Sequence, residues 1–180
     1  MLNQKQIAKS GMMVAFLVVC AFIRIPAFAV PYSLVFFAVN FITVISDIKT
    51  GFFSILIYVL LGFLGVPVFS QGGGLSCVIS PGFGYIIGFV VIQPVCAFLK
   101  KVISDYKPGI MYKNIILGII NLLVVYFLGC GYGYVISCFY LKQNLSLWYF
   151  VQFYILIFIP GDIISVIISG YLIKKLKFVI

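Results

Sequence analysis

One carboxylate in this sequence stands where water should be scarce. Asp162 lies in FIPGD (158–162) and is the lone charge in the run from Gln143 to Ile173. An ionisable group at such depth costs at least ~2.5–3.5 kcal/mol on insertion scales, so it normally faces a partner or a polar cavity. Pro160 has no N–H to give to the Leu156 carbonyl, which predicts a bend with free backbone acceptors about one turn from the carboxylate. Irregular backbone at membrane depth is tolerated only where it lines protein or a cavity. The chemistry on offer is recognition, with Asp162 as a ligand-binding acceptor. The competing reading is a structural Asp paired with Arg24.

Two further groups carry polar tips beside apolar bodies. Gly72-Gly73-Gly74 and Pro81-Gly82-Phe83-Gly84-Tyr85 bracket one loop. Adjacent glycines let backbone approach a ligand closely and permit unusual φ angles. Gln71 and Tyr85 flank these glycines and suit an amphipathic small molecule. Another loop, from Ile25-Pro26 to Val30-Pro31-Tyr32-Ser33, is stiffened by two prolines. Gly11 and Ala15, four apart, form a small-residue patch that lets another helix come close.

The elements that hold these groups must sit in lipid. Of 180 residues 64% are hydrophobic and 8% are charged, against about 25% charged in soluble domains. No soluble fold of this size buries so much apolar surface. Three Asp, no Glu and no His exclude the common acid–base pairs, Ser/His/Asp triads and His-based metal sites, so neither an enzyme nor a metal or cofactor is expected. Cys20, Cys77, Cys96, Cys130 and Cys138 contain no CxxC pair and read as small apolar packers. No GxxxxGK[ST] string is present, so uphill transport would need an ATP-hydrolysing partner. No signal peptide is expected at the first apolar run, which lacks an A-x-A-like site and is followed by more spans.

Charge-free runs predict an all-α, polytopic membrane protein with six transmembrane helices at about 7–25, 34–47, 50–65, 82–99, 113–139 and 147–174, in one domain over 1–180. That count puts Lys5, Lys9, Lys49, Lys100, Lys101, Lys107, Lys113, Lys174, Lys175 and Lys177 on one side. Only Arg24 and Lys142 fall on the other, a split of ten against two. The positive-inside rule then places both termini in the cytoplasm, with the net charge of +9 reflecting topology rather than nucleic-acid binding. Asp47 and Asp105, beside Lys49 and Lys107, read as solvated loop charges.

IRIPAFAVPYSL (23–34), YVLLGFLGVPVFSQGGG (58–74), SPGFGYIIGF (80–89), YFLG (126–129) and FIPGD (158–162), in this order and spacing, together resemble the BioY family. These are the biotin-specific substrate-binding (S) components of energy-coupling-factor (ECF) transporters. The resemblance implies an S-component bundle in the cell membrane that binds biotin from outside. It also implies docking, through small residues of the first helix such as Gly11 and Ala15, on a transmembrane coupling subunit attached to two ATPases. Under it, Asp162 would accept from the ureido N–H groups of biotin. Ser33, Gln71, Ser165, glycine-loop amides or Arg24 would receive its carboxylate. The chain departs from the family pattern at three places. Val35 stands where a Gln follows the first-loop proline, Ser80 stands where a Gly precedes the next proline, and Ser165 stands where a Lys follows the Asp by three. The alternatives are an S component for another vitamin-like ligand, or a non-transport membrane scaffold.

Overall fold

The structure, a computed structural model, describes residues 3–25, 32–69, 72–104 and 109–177. Expectations that concern Pro26, Pro31, Gln71, Asp105 and Lys107 lie outside these residues. The described chain forms helices α1 (Gln4–Phe22), α2 (Val35–Ile45), α3 (Ile48–Phe63), α4 (Phe83–Ser104) and α5 (Ile110–Val135), the last continued by a π turn at Ile136–Tyr140. A final rod is built from α6 (Leu147–Val151), a π turn (Gln152–Leu156) and α7 (Ile159–Lys177). A two-residue antiparallel pair, β1 (Arg24–Ile25) and β2 (Tyr32–Ser33), and a 3-10 turn at Leu75–Ile79 complete the elements.

Four of these stretches are long and apolar enough to cross a bilayer: Gln4–Phe22, Phe83–Ile103, Ile110–Tyr140 and Leu147–Leu176. The other two, Val35–Ile45 and Ile48–Phe63, are shorter. The protein is a multi-pass membrane protein. With its 11 residues, α2 rises only about 16 Å, roughly half the hydrocarbon thickness. The end it leaves open is where β2 and a cavity around Asp162 lie.

Local chemistry explains the ends of several helices. Asn3 and Gln6 form a reciprocal capping box at the start of α1. Asp47 caps α3, accepting from the Thr50 amide at 3.1 Å and the Thr50 hydroxyl at 2.7 Å. It also receives Gln6 Nε2 at 3.3 Å, so this exposed turn charge ties α1 to the α2–α3 turn as well as facing solvent. Burial works against its charge, but the Thr50 hydrogen bonds outweigh that and hold its carboxyl below the usual range. At the same end Lys100 of α4 donates to the carbonyls of Thr43 and Ser46, at 2.5 and 2.9 Å, and so closes the last turn of α2.

Small residues and buried amides set the packing. On α4, Gly84 and Gly88 meet Gly129 and Val125 of α5 so closely that an added Cβ would touch backbone atoms at 2.7–3.0 Å. Deeper in the bundle, Asn121 of α5 donates to Asn40 of α2 at 3.0 Å, and Asn40 donates to Ser169 of α7 at 2.8 Å. These buried bonds tie three helices together and help to fix their register, while Asn121 Oδ1 has no hydrogen-bond partner among the described residues.

The proline-induced bend takes a different form from the one expected. A π turn ends at Leu156, a turn follows, and Pro160 falls in the first turn of α7. There its missing N–H removes no ladder bond, because the first-turn amides of a helix have no intrahelical partner.

A tyrosine-walled cavity around Asp162

A cavity of about 550 Å³, including its mouth, opens at the β1–β2 end of the bundle. Its wall is Tyr32, Ser33, Val35, Phe36, Tyr58, Phe69, Tyr85, Ile86, Phe89, Val125, Tyr126, Phe158 and Asp162. Five elements contribute: β2, α2, α3, α4 and α5, closed by Phe69 of the loop after α3 and by the rod that carries Phe158 and Asp162. The lining, aromatic and aliphatic with a single carboxylate, suits a small molecule with an apolar body and one polar end.

Asp162 supplies the polar end. It sits in the first turn of α7, where the helix dipole favours a carboxylate, and it is 4% exposed. Its Oδ2 accepts the Tyr126 hydroxyl at 2.6 Å. Its Oδ1 is buried and has no hydrogen-bond partner among the described residues. A buried acceptor left bare costs ~1–3 kcal/mol, more if charged, so this oxygen is the group a ligand donor would satisfy.

The other expected residues are placed as follows. Ser33 lines the cavity. Tyr85 also lines it, with its ring against Gly129 and stacked on Tyr154, while its hydroxyl donates to the Tyr154 carbonyl in the π turn. Its hydroxyl therefore bonds the irregular backbone, while its ring forms part of the cavity wall. Ser165 lies one turn behind Asp162 and donates to the Gly161 carbonyl at 2.9 Å. Gln71 lies outside the described residues. Arg24 donates to the carbonyls of Ala21, at 2.8 Å, and Pro67. It thereby pins the first loop to the third. Gly11 and Ala15 face outward on α1, and nothing lies within 4 Å of an added Gly11 Cβ.

The glycine loop serves its own geometry. Gly72 and Gly74 have φ of 113° and 97°, conformations that glycine adopts freely. Their amides bond to the carbonyls of Phe69 and Gly62 at 3.0 and 2.7 Å. A Cβ at Gly73 would come within 2.4 Å of the Val66 carbonyl oxygen. The loop thus folds back tightly enough to hold Phe69 over Gly62, where a Cβ would come within 2.0 Å of the Phe69 ring.

Sequence reasoning missed Tyr126, Tyr32, Tyr58 and Phe69. Tyr58 donates to the Val68 carbonyl at 2.7 Å. A usable signal existed: a tyrosine inside an apolar helix needs a partner for its hydroxyl, and Tyr58 and Tyr126 are both of that kind.

Comparisons with known proteins follow this geometry. The family model described as the BioY family matches residues 1–180. A probable biotin transporter BioY of Lysinibacillus sphaericus is 36% identical over 69% of this chain and 62% of its own length. The biotin transporter BioY of Thermotoga maritima is 32% identical over 69% of this chain and 72% of its own length. The match thus spans less than two thirds of the first of these relatives. The crystal structure of the S-component for biotin from an ECF-type ABC transporter superposes with a TM-score of 0.82, over 98% of this chain and 94% of that one, at 24% identity. That likeness establishes the fold.

Proposed function

This chain belongs to the BioY family, and from that premise we propose that it is the substrate-binding membrane subunit of an ATP-driven importer, with biotin as its ligand. The unpartnered Oδ1 of Asp162 at the polar end of an aromatic cavity carries the reading. A ureido ring offers two N–H donors, and a carboxylate takes them in charge-assisted hydrogen bonds. The thiophane ring and tail have the Phe and Tyr walls to rest on. The ligand carboxylate would point toward Ser33 and the mouth. Mass spectrometry of the compound that co-purifies with the detergent-solubilised protein, together with titration of d-biotin, tests this. Recovery of a different compound and no biotin binding would refute it. A second reading has its own support: a carboxylate ringed by aromatic faces also suits an organic cation.

The energy must come from a partner, because the chain has no P-loop. The outward Gly11 and Ala15 support docking of a transmembrane coupling subunit attached to two ATPases. Gly11→Leu is expected to leave biotin binding intact and to weaken co-purification with the coupling subunit, since the position is exposed and no neighbouring element among the described residues lies within 4 Å of an added Cβ. Undiminished co-purification would place docking elsewhere.

The ten-to-two charge split supports cytoplasmic termini. In right-side-out vesicles, a cysteine at Lys142 should react with an impermeant maleimide and one at Lys113 should not. Labelling of both, or of Lys113 alone, would overturn that orientation.

A further inference from the structure

Tyr32 and Ser33 of β2 and Phe69 of the loop after α3 bring parts of the cavity wall from outside the helices. One side chain joins them. Arg24 sits opposite Ser33 in the β1–β2 pair. Its guanidinium donates to the Ala21 carbonyl in the last turn of α1, at 2.8 Å, and to the Pro67 carbonyl. The fork of a guanidinium lets one residue hold two carbonyls at once, and its charge suits a helix C-terminus. Pro67 has no N–H, so its carbonyl is the one backbone group by which it can be held. The next two residues are tied as well. Tyr58 donates to the Val68 carbonyl at 2.7 Å, and Phe69 exchanges two backbone bonds with Gly72, both 3.0 Å. The Phe69 ring is 2% exposed and meets Tyr58 edge-on, with centroids 5.8 Å apart. Tyr58 belongs to α3 and Gly72 to the same loop as Phe69, so of these ties the one from Arg24 comes from the first loop.

We infer that Arg24 is a positioning residue for ligand retention: anchored on the end of α1, it holds Pro67 so that Phe69 stays seated in the cavity wall, and it does this without touching the ligand. This rests on biotin as the ligand. Among the described residues Arg24 does not line the cavity, whereas Ser33, its partner across the β pair, does. Wall segments carried by loops move without breaking helix packing, so a ligand leaves past them. Tied to α3 and its own hairpin alone, Phe69 swings with its loop. Tied to Arg24 as well, it moves only when the bond to the first loop gives way. A cation at this end of the bundle would otherwise be read as the receiver of the ligand carboxylate, and that reading makes a different prediction.

The test times the release of tritiated d-biotin and of tritiated biotinamide, whose tail is uncharged, from the full-length detergent-solubilised protein after a chase with excess unlabelled compound. In Arg24→Gln both compounds should leave faster by the same factor, about threefold or more, as expected for the loss of one hydrogen bond from a charged group. In a Phe69→Ala background the tie has no ring to hold in place, so adding Arg24→Gln should change release little. Phe69→Leu, which keeps an apolar wall, repeats the comparison if Phe69→Ala holds ligand too briefly to time. Faster release of biotin alone would make Arg24 a direct partner of the ligand carboxylate and overturn the inference. Equal acceleration with and without the Phe69 ring would mean a general loosening of the loops and count against it as fully, as would unchanged release in Arg24→Gln; biotin would remain the ligand in each case. Wild-type protein that binds no biotin would remove the ligand and this inference together.

Discussion

Asp162→Asn should lower biotin affinity about 10- to 150-fold, the loss expected when a hydrogen bond of ~1.5–3 kcal/mol to a charged group is removed. The substitution keeps shape and volume, so the loss is chemical rather than steric. One of two arrangements must follow. If the new amide nitrogen takes the Oδ1 position, a donor faces the ligand's N–H groups. If it takes the Oδ2 position, it meets the Tyr126 hydroxyl, which now donates at 2.6 Å, and that hydroxyl must turn round to accept. Either way one hydrogen bond inverts and the charge that strengthened the others is gone. Isothermal titration in detergent reads the result directly. Tyr126→Phe should weaken binding less, because it leaves the carboxylate and removes one of its supports. Biotin binding that is unchanged in Asp162→Asn would mean that the ligand site lies elsewhere in the bundle.

Gly84→Val should cost the fold far more than the same change at the outward-facing Gly11. A Cβ there would lie 2.5 Å from the Tyr132 Cβ, 2.7 Å from the Leu128 carbonyl oxygen and 3.0 Å from the Gly129 Cα. None of these is the far end of a flexible side chain, so α4 and α5 must separate. Overpacking of this kind costs typically ~1–3 kcal/mol, and a loss of that size lowers Tm by roughly 2–4 °C per kcal/mol in a chain of this length. Biotin binding should fall as well, because the Tyr85 ring that walls the cavity leans on Gly129, 2.6 Å from where a Cβ would stand. Gly11→Val is the control: nothing lies within 4 Å of that position, so its melting curve should match wild type. Equal melting temperatures for Gly84→Val and wild type would contradict the α4–α5 contact.

Much of this architecture was readable residue by residue. The charge-free runs predicted six helices within a few residues of their observed ends, since lipid forbids charge and demands helices of set length. Asp162 drew attention because a carboxylate amid Phe158, Ile159, Ile163 and Ile164 is expensive unless it has a purpose. Asp47 was harder: its role as an N-cap follows from Thr50 three residues on, a local signal masked by the neighbouring Lys49.

What remained hidden is what depends on distant segments meeting. Sequence alone determined that the chain lives in a bilayer, which stretches are apolar helices, and that one buried carboxylate needs a partner. These are properties of single residues and runs, set by the cost of transferring charge and bare backbone into hydrocarbon. Tertiary structure alone decided who the partners are. Tyr126 lies 36 residues from Asp162, and Tyr32 reaches the same cavity wall from the opposite end of the chain. Tyr85 bonds to the carbonyl of Tyr154, 69 residues away, so this residue of the cavity wall also supports irregular backbone. Arg24, the one early cation near Asp162 in the expected topology, instead holds Pro67. No periodicity or spacing encodes such pairings, because a hydroxyl or guanidinium takes whichever acceptor helix packing brings within about 3 Å, and that packing is set by where glycines such as Gly84 and Gly129 let the helices touch.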